Sequence, residues 1–161
     1  MVNTINKETL ISDIWKNFFD TVKNNVTSVT INGTGGPNTV TISVVKYSGE
    51  NSYLEIEHKE DYPRIIVHSP RLPSEQFTFG RDQINGSIII EAYATQKEAA
   101  AKLISSVMYY LETNRNSFRR YGLYQIQVDT TDEDQYTRGG LNIHVSRAIF
   151  RFKNRITRSD A

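Results

Sequence analysis

The chain has no cysteine among its 161 residues. That absence excludes a disulfide framework, thiolate-held zinc or iron–sulfur centres, and a cysteine nucleophile. Proline is scarce, and all four residues lie between positions 37 and 73, so this stretch should hold strands and connections rather than helix. Apolar runs such as residues 88–90 and 99–101 fall far short of the roughly 18 residues needed to cross a bilayer. The opening Met-Val-Asn-Thr-Ile-Asn-Lys has no charged start followed by an apolar core, so we expect a soluble protein without a secretory signal and with no membrane partner. Neither sign of charge dominates: 19 Lys plus Arg face 18 Asp plus Glu, a net charge of +1. A surface that binds polyanions everywhere is therefore excluded, while a local basic face is not. The apolar fraction, 38%, is below the roughly 45–50% of average domains, which predicts a modest core and a large surface.

What is present reads as one α+β domain over residues 1–161, a mainly antiparallel sheet with two principal helices packed on it. Residues 7–24 carry Leu10, Ile11, Ile14, Trp15, Phe18, Phe19 and Val22 at the spacing of one wide helical face. Asn6 is placed to cap this helix, and the pair Asn24 and Asn25 to end it. Residues 26–31 and 39–45 alternate β-branched with hydroxyl side chains around a turn-forming segment, which predicts a hairpin with a long mobile tip. Strands are expected at 53–58, 64–68 and from 77 to 93, with a turn either at 80–82 or at Asn85-Gly86, the stronger hairpin dipeptide. Thr95 and Glu98 have capping-box spacing and should open a second helix that ends between Asn114 and Phe118. Two last strands, 123–128 and 141–152, complete the order.

A search for chemistry finds no pattern of a known site. His58, His68 and His144 fall on different expected strands, with no metal-ligand spacing between them. Gly33, Gly35 and Gly36 lack the Gly-Lys-Ser/Thr and the helix start that a phosphate loop requires. Asp129, Asp132, Glu133 and Asp134 lack calcium-loop spacing and read as an acidic loop between the last two strands. The closing segment is the opposite pole: Arg138, Arg147, Arg151, Lys153, Arg155 and Arg158 occur with no acidic residue among them. On an extended strand Arg147, Arg151, Lys153 and Arg155 share one side, and Ala148, Phe150 and Phe152 share the other. A charged edge that discourages indiscriminate pairing is one account. The other is a binding face, in which the acidic tip of one copy meets the basic strand of the next in a head-to-tail contact that closes into a ring.

The order of elements resembles the tail terminator, or tail completion, proteins of long-tailed bacteriophages. The likeness rests on the N-terminal amphipathic helix, the polar hairpin, Tyr-Pro-Arg-Ile-Ile-Val at 62–67, Ile-Ile-Ile-Glu-Ala-Tyr-Ala-Thr-Gln-Lys-Glu-Ala at 88–99 and Tyr-Thr-Arg-Gly-Gly at 136–140, and it covers most of the chain. The resemblance implies a hexameric ring of identical copies that sits on the finished tail tube, stops tube polymerisation and offers a surface to the head-side connector. Its partners would be the tail tube protein and a head completion protein, with DNA only passing through the ring. It implies no cofactor, no metal, no catalytic residue, and a place in the virion tail after assembly in the host cytoplasm. Contacts in such proteins are made by hairpin loops and sheet edges. On this sequence those positions are a flexible loop of Gly33, Thr34, Gly35, Gly36 and Asn38, together with the acidic segment and the basic strand. Two alternatives remain open: a head–tail connector or neck protein, and a nucleic-acid-binding module that uses the basic strand with Phe118, Tyr121 and Tyr124. A hydrolase built on the carboxylates of 129–134 would need a pocket and a metal.

Overall fold

The structure, a computed structural model, describes residues 10–33, 36–47, 63–72, 83–120, 122–138 and 140–155. Helix α1, Leu10–Asn25, buries Leu10, Ile14, Phe18 and Val22, the i, i+4 row that the sequence spacing requires. It ends where Asn25 Nδ2–H donates to the Thr21 carbonyl, a side chain taking over from the helical bonding pattern. Strands β1, Ser28–Gly33, and β2, Gly36–Thr41, form the expected hairpin. The remaining strands are β3 (Ser43–Lys46), β4 (Arg64–Val67), β5 (Gln83–Ala94), β6 (Leu123–Arg138) and β7 (Leu141–Arg155). They form a sheet of order β3-β4-β5-β7-β6, antiparallel except for β3 beside β4. Between β5 and β6 lie α2, Lys97–Thr113, and the short α3, Arg115–Arg120.

Both long helices and the hairpin cover one face of this sheet. Phe18 of α1 and Leu103, Val107 and Leu111 of α2 pack on Ile65, Val67, Ile88, Ile90, Phe150 and Phe152 in one buried cluster. Phe18 meets the rings of Phe118 and Phe152 at 5.1 and 5.5 Å between centroids, so α1, α3 and β7 converge on one aromatic point. Trp15 also ties α1 to the sheet, its indole N–H donating to the Val67 carbonyl at 3.0 Å. The opposite face carries a second cluster of Ile66, Tyr93, Ile143 and Val145, and no described helix lies on that side. The α+β class, the mainly antiparallel sheet and its two principal helices are therefore as the sequence predicts.

Several boundaries differ. Residues 39–45 are not one strand: the chain leaves the hairpin at buried Ile42, whose N–H donates to Thr27, and then enters the main sheet as β3. The hairpin tip is shorter than expected, since Gly33 pairs with Gly36 and Asn38 with Ile31, while Thr34 and Gly35 lie outside the described residues. Asn85-Gly86 makes no turn. It sits inside the continuous β5, where pairing of residues 83–94 along the whole of β7 outweighs a local turn preference. The N-cap of α2 is Gln96 rather than Thr95, in extended conformation and without a side-chain cap bond. The helix cap at Asn6, the strand at 53–58 and the possible turn at 80–82 fall outside the described residues.

Candidate functional site

The segment 129–134 is not a loop. It belongs to β6, which continues to Arg138 and turns at Gly140, whose φ of +80° suits a residue without Cβ. The antiparallel register then sets the acidic strand against the basic one within a single copy, with Asp132 opposite Arg147 and Glu133 opposite Ser146. Cross-strand partners lie roughly 5 Å apart, so opposite charges there meet without long side-chain excursions. Arg147 Nη1–H donates to Asp132 Oδ2 at 3.0 Å, and Arg151 Nε lies 3.3 Å from Asp129 Oδ2. A register shift between Val128 and Thr130 leaves Asp129 out of the ladder, where it reaches Arg151.

The centre of the open face is Glu91, a carboxylate only 2% exposed. It stands in the apolar run 88–94 of β5, where burial of an unpaired charge would be prohibitive. Three residues compensate it. Arg147 donates to Glu91 Oε2 from Nε at 3.0 Å and from Nη2 at 2.8 Å, and the Tyr93 hydroxyl donates to the same oxygen at 3.1 Å. The His68 ring meets Oε1 through Nε2 and is itself stacked on Tyr47. Burial alone would raise the Glu91 pKa. The bonds and charges of His68 and Arg147 outweigh that effect and hold it at about 2, down from 4.5. Burial likewise opposes the Arg147 charge, but the Glu91 bonds, with Glu91 and Asp132 charges beside it, push its pKa above the ordinary value. Arg147 is thus a fork between a buried carboxylate and an exposed one.

This arrangement holds strands together. A carboxylate with so low a pKa is a poor base at neutral pH, and both of its oxygens are already engaged. Among the described residues there is no group of three or more His, Asp or Glu side chains that could hold a metal ion. No protein-family model matches this chain, and no curated protein does.

Asp129, Asp132, Arg147 and Arg151 are brought together as ion pairs inside one copy. Glu133 turns to the helix side, where its carboxylate is 3.5 Å from Lys97 Nζ, and Asp134 accepts the backbone N–H of Gln135. Lys153 stands opposite Asn85 and Tyr124 and makes no ion pair with a described residue. Arg138 and Arg155 lie at strand ends, opposite Leu141 and Gln83. Gly33, Gly36 and Asn38 are paired hairpin residues, apart from this ladder. Phe118 is buried in the core and offers no ring for base stacking, while Tyr121 falls outside the described residues. The histidines do not converge where described: His68 bonds beside Ile89, and His144 stands opposite Ala94, further along β5. Sequence reasoning missed Glu91, whose signal was an acid inside the run Ile-Ile-Ile-Glu-Ala-Tyr-Ala.

Proposed function

We propose that the protein is a structural component of a phage tail. Identical copies form a ring on the end of the tail tube, stop further polymerisation and offer a surface for head attachment. The likeness to tail terminators supplies that setting. The observation that supports assembly is β6 itself, a strand of 16 residues at one end of the sheet, with every residue from 127 to 135 exposed. No described strand pairs with its outer side. An edge this long is a template for another chain, and a repeated head-to-tail contact closes into a ring. Because Asp129 and Asp132 are already paired in the same copy, the contact is main-chain pairing and shape along β6 rather than exchange of those charges. The function is occupancy of the tube end without turnover, and the tail tube protein and a head completion protein are its partners.

The test is electron microscopy with sedimentation of the full chain, alone and mixed with tail tubes. Rings on tube ends are expected from the wild type. Asp134→Lys with Gln135→Lys, two exposed edge positions, should abolish them while leaving the circular dichroism spectrum unchanged. Rings that survive this double change would overturn assembly through β6, and failure of the wild type to bind tubes would overturn the tail assignment.

A further inference from the structure

A second polar surface lies toward the start of β5, away from the Glu91 network and unused by ring assembly. Arg71 and Ser87 exchange two backbone hydrogen bonds, of 2.7 and 3.0 Å, which pin Arg71 on the side of β5 opposite β7. Ser87 in turn lies opposite Arg151, and Arg151 opposite Gln127. One row across three strands and the bridged residue beside them therefore reads Arg71, Ser87, Arg151, Gln127, and partners in such a row point to the same side of a sheet. The neighbouring row, two residues along, places Asn85 opposite Lys153. Arg71 and Arg151 flank Ser87 on its two sides, so their backbones are separated by about 10 Å.

These rows line a cleft of about 650 Å³. Its apolar lining is Leu72, backed by the buried Phe152, and both crowd onto the strand because position 86 is glycine: a Cβ there would come within 2.5 Å of Leu72 Cδ2 and 2.7 Å of the Phe152 ring. Its rim includes Gln125, held at a φ of 53°, the only non-glycine among the described residues with positive φ. Gln125 falls within the register shift between Tyr124 and Gln127. Strain of this kind persists where surrounding structure imposes it, and such sites are frequently functional.

The charge is one-sided. None of the described residues lining the cleft is acidic. Arg151 shares its charge with Asp129, whereas Arg71 and Lys153 make no ion pair with a described residue. Two cations are thus left for a ligand, beside three amide side chains, Asn85, Gln125 and Gln127. A simple anion would use only donors and leave the three amide carbonyls idle. An amide presents a donor and an acceptor together, which matches the edge of a nucleobase. The volume lies within the range of small-ligand sites.

We propose that this cleft binds a nucleoside phosphate, with Arg71 and Lys153 on the phosphate, the amides on the base edge, and Leu72 against the base or sugar. The phosphate is carried either by a free nucleotide or by one residue of a single strand. The inference stands independently of ring assembly.

Calorimetric titration of the full chain at low salt, with dAMP, inorganic phosphate and a short oligo-dA as probes, separates the cases. Saturable binding of dAMP, or of oligo-dA alone, is expected, with phosphate bound more than roughly tenfold less tightly. A dAMP site identifies the free nucleotide as the source, and binding of oligo-dA alone identifies the strand. Arg71→Ala with Lys153→Ala should weaken that binding by at least roughly tenfold, because each hydrogen bond to a charged group is worth about that factor or more. Gln125→Gly, which relieves the backbone and removes one amide, should weaken nucleotide but not phosphate binding. Lys16→Ala with Lys23→Ala, exposed lysines of α1, should change nothing. Absence of saturable binding, phosphate bound as tightly as the nucleotide probe, or an unchanged affinity in a folded Arg71→Ala, Lys153→Ala protein would each overturn the proposal.

Discussion

Glu91→Gln is the most informative single change, because it keeps the shape of the buried side chain and removes only its charge. The Glu91 pKa is held at about 2 in the folded protein, against 4.5 for an ordinary glutamate. Each unit corresponds to about 1.4 kcal/mol, so ionisation of Glu91 couples to folding by about 3 kcal/mol. The folded pKa lies below the unfolded one. The contribution is therefore complete above about pH 4.5 and is lost as the pH falls through about 2. Other carboxylates titrate in both proteins, so the quantity to follow is the stability gap between wild type and Glu91→Gln. Urea unfolding from pH 7 down to about pH 2 should show that gap shifting by about 3 kcal/mol in disfavour of the wild type, entirely within the acid window. A gap independent of pH would refute the argument that His68 and Arg147 hold Glu91 ionised.

Arg147→Met should cost about 3–5 kcal/mol in the same urea assay at neutral pH, because it leaves the buried Glu91 charge short of two bonds. Gly86→Ala forces a Cβ against Leu72 and the buried Phe152 ring, and should lower stability by about 1–3 kcal/mol, with Leu72→Ala restoring part of it in a thermal melt. Asn154 is fully buried, and neither of its side-chain polar atoms is hydrogen-bonded to a described residue. Asn154→Leu should therefore be neutral or stabilise by about 1–2 kcal/mol, and a clear loss of stability would reveal a role for the amide. Phe18→Ala removes the ring on which Phe118 and Phe152 converge and should cost about 3–5 kcal/mol in chemical unfolding.

The elements that were legible are those whose stability is decided by nearby residues. Leu10, Ile14, Phe18 and Val22 repeat at helical spacing, and they are the buried row of α1. Ala148, Phe150 and Phe152 alternate with Arg147, Arg151 and Lys153, and the two sets lie on opposite faces of β7. The errors arose where a local preference met a long-range pairing. Asn85-Gly86 prefers a turn but is held straight by Lys153 and Phe152 opposite, and the acidic segment 129–134 has the composition of a loop but is paired along β7 as part of a strand. The site shared this fate: the charges were visible, and their being partners within one copy was not.

Periodicity and composition by themselves determined the class of the fold, the core face of α1 and of β7, and the absence of thiol chemistry, because each depends on side-chain type and spacing alone. Register decided the rest. Which strands are neighbours, and hence that Glu91 meets Arg147, that Asp132 is neutralised from across the ladder, and that Arg71, Arg151 and Lys153 share one cleft, follows from hydrogen bonds between residues far apart in the chain. A shift of one residue in any of those pairings would send the same side chains to the other face of the sheet.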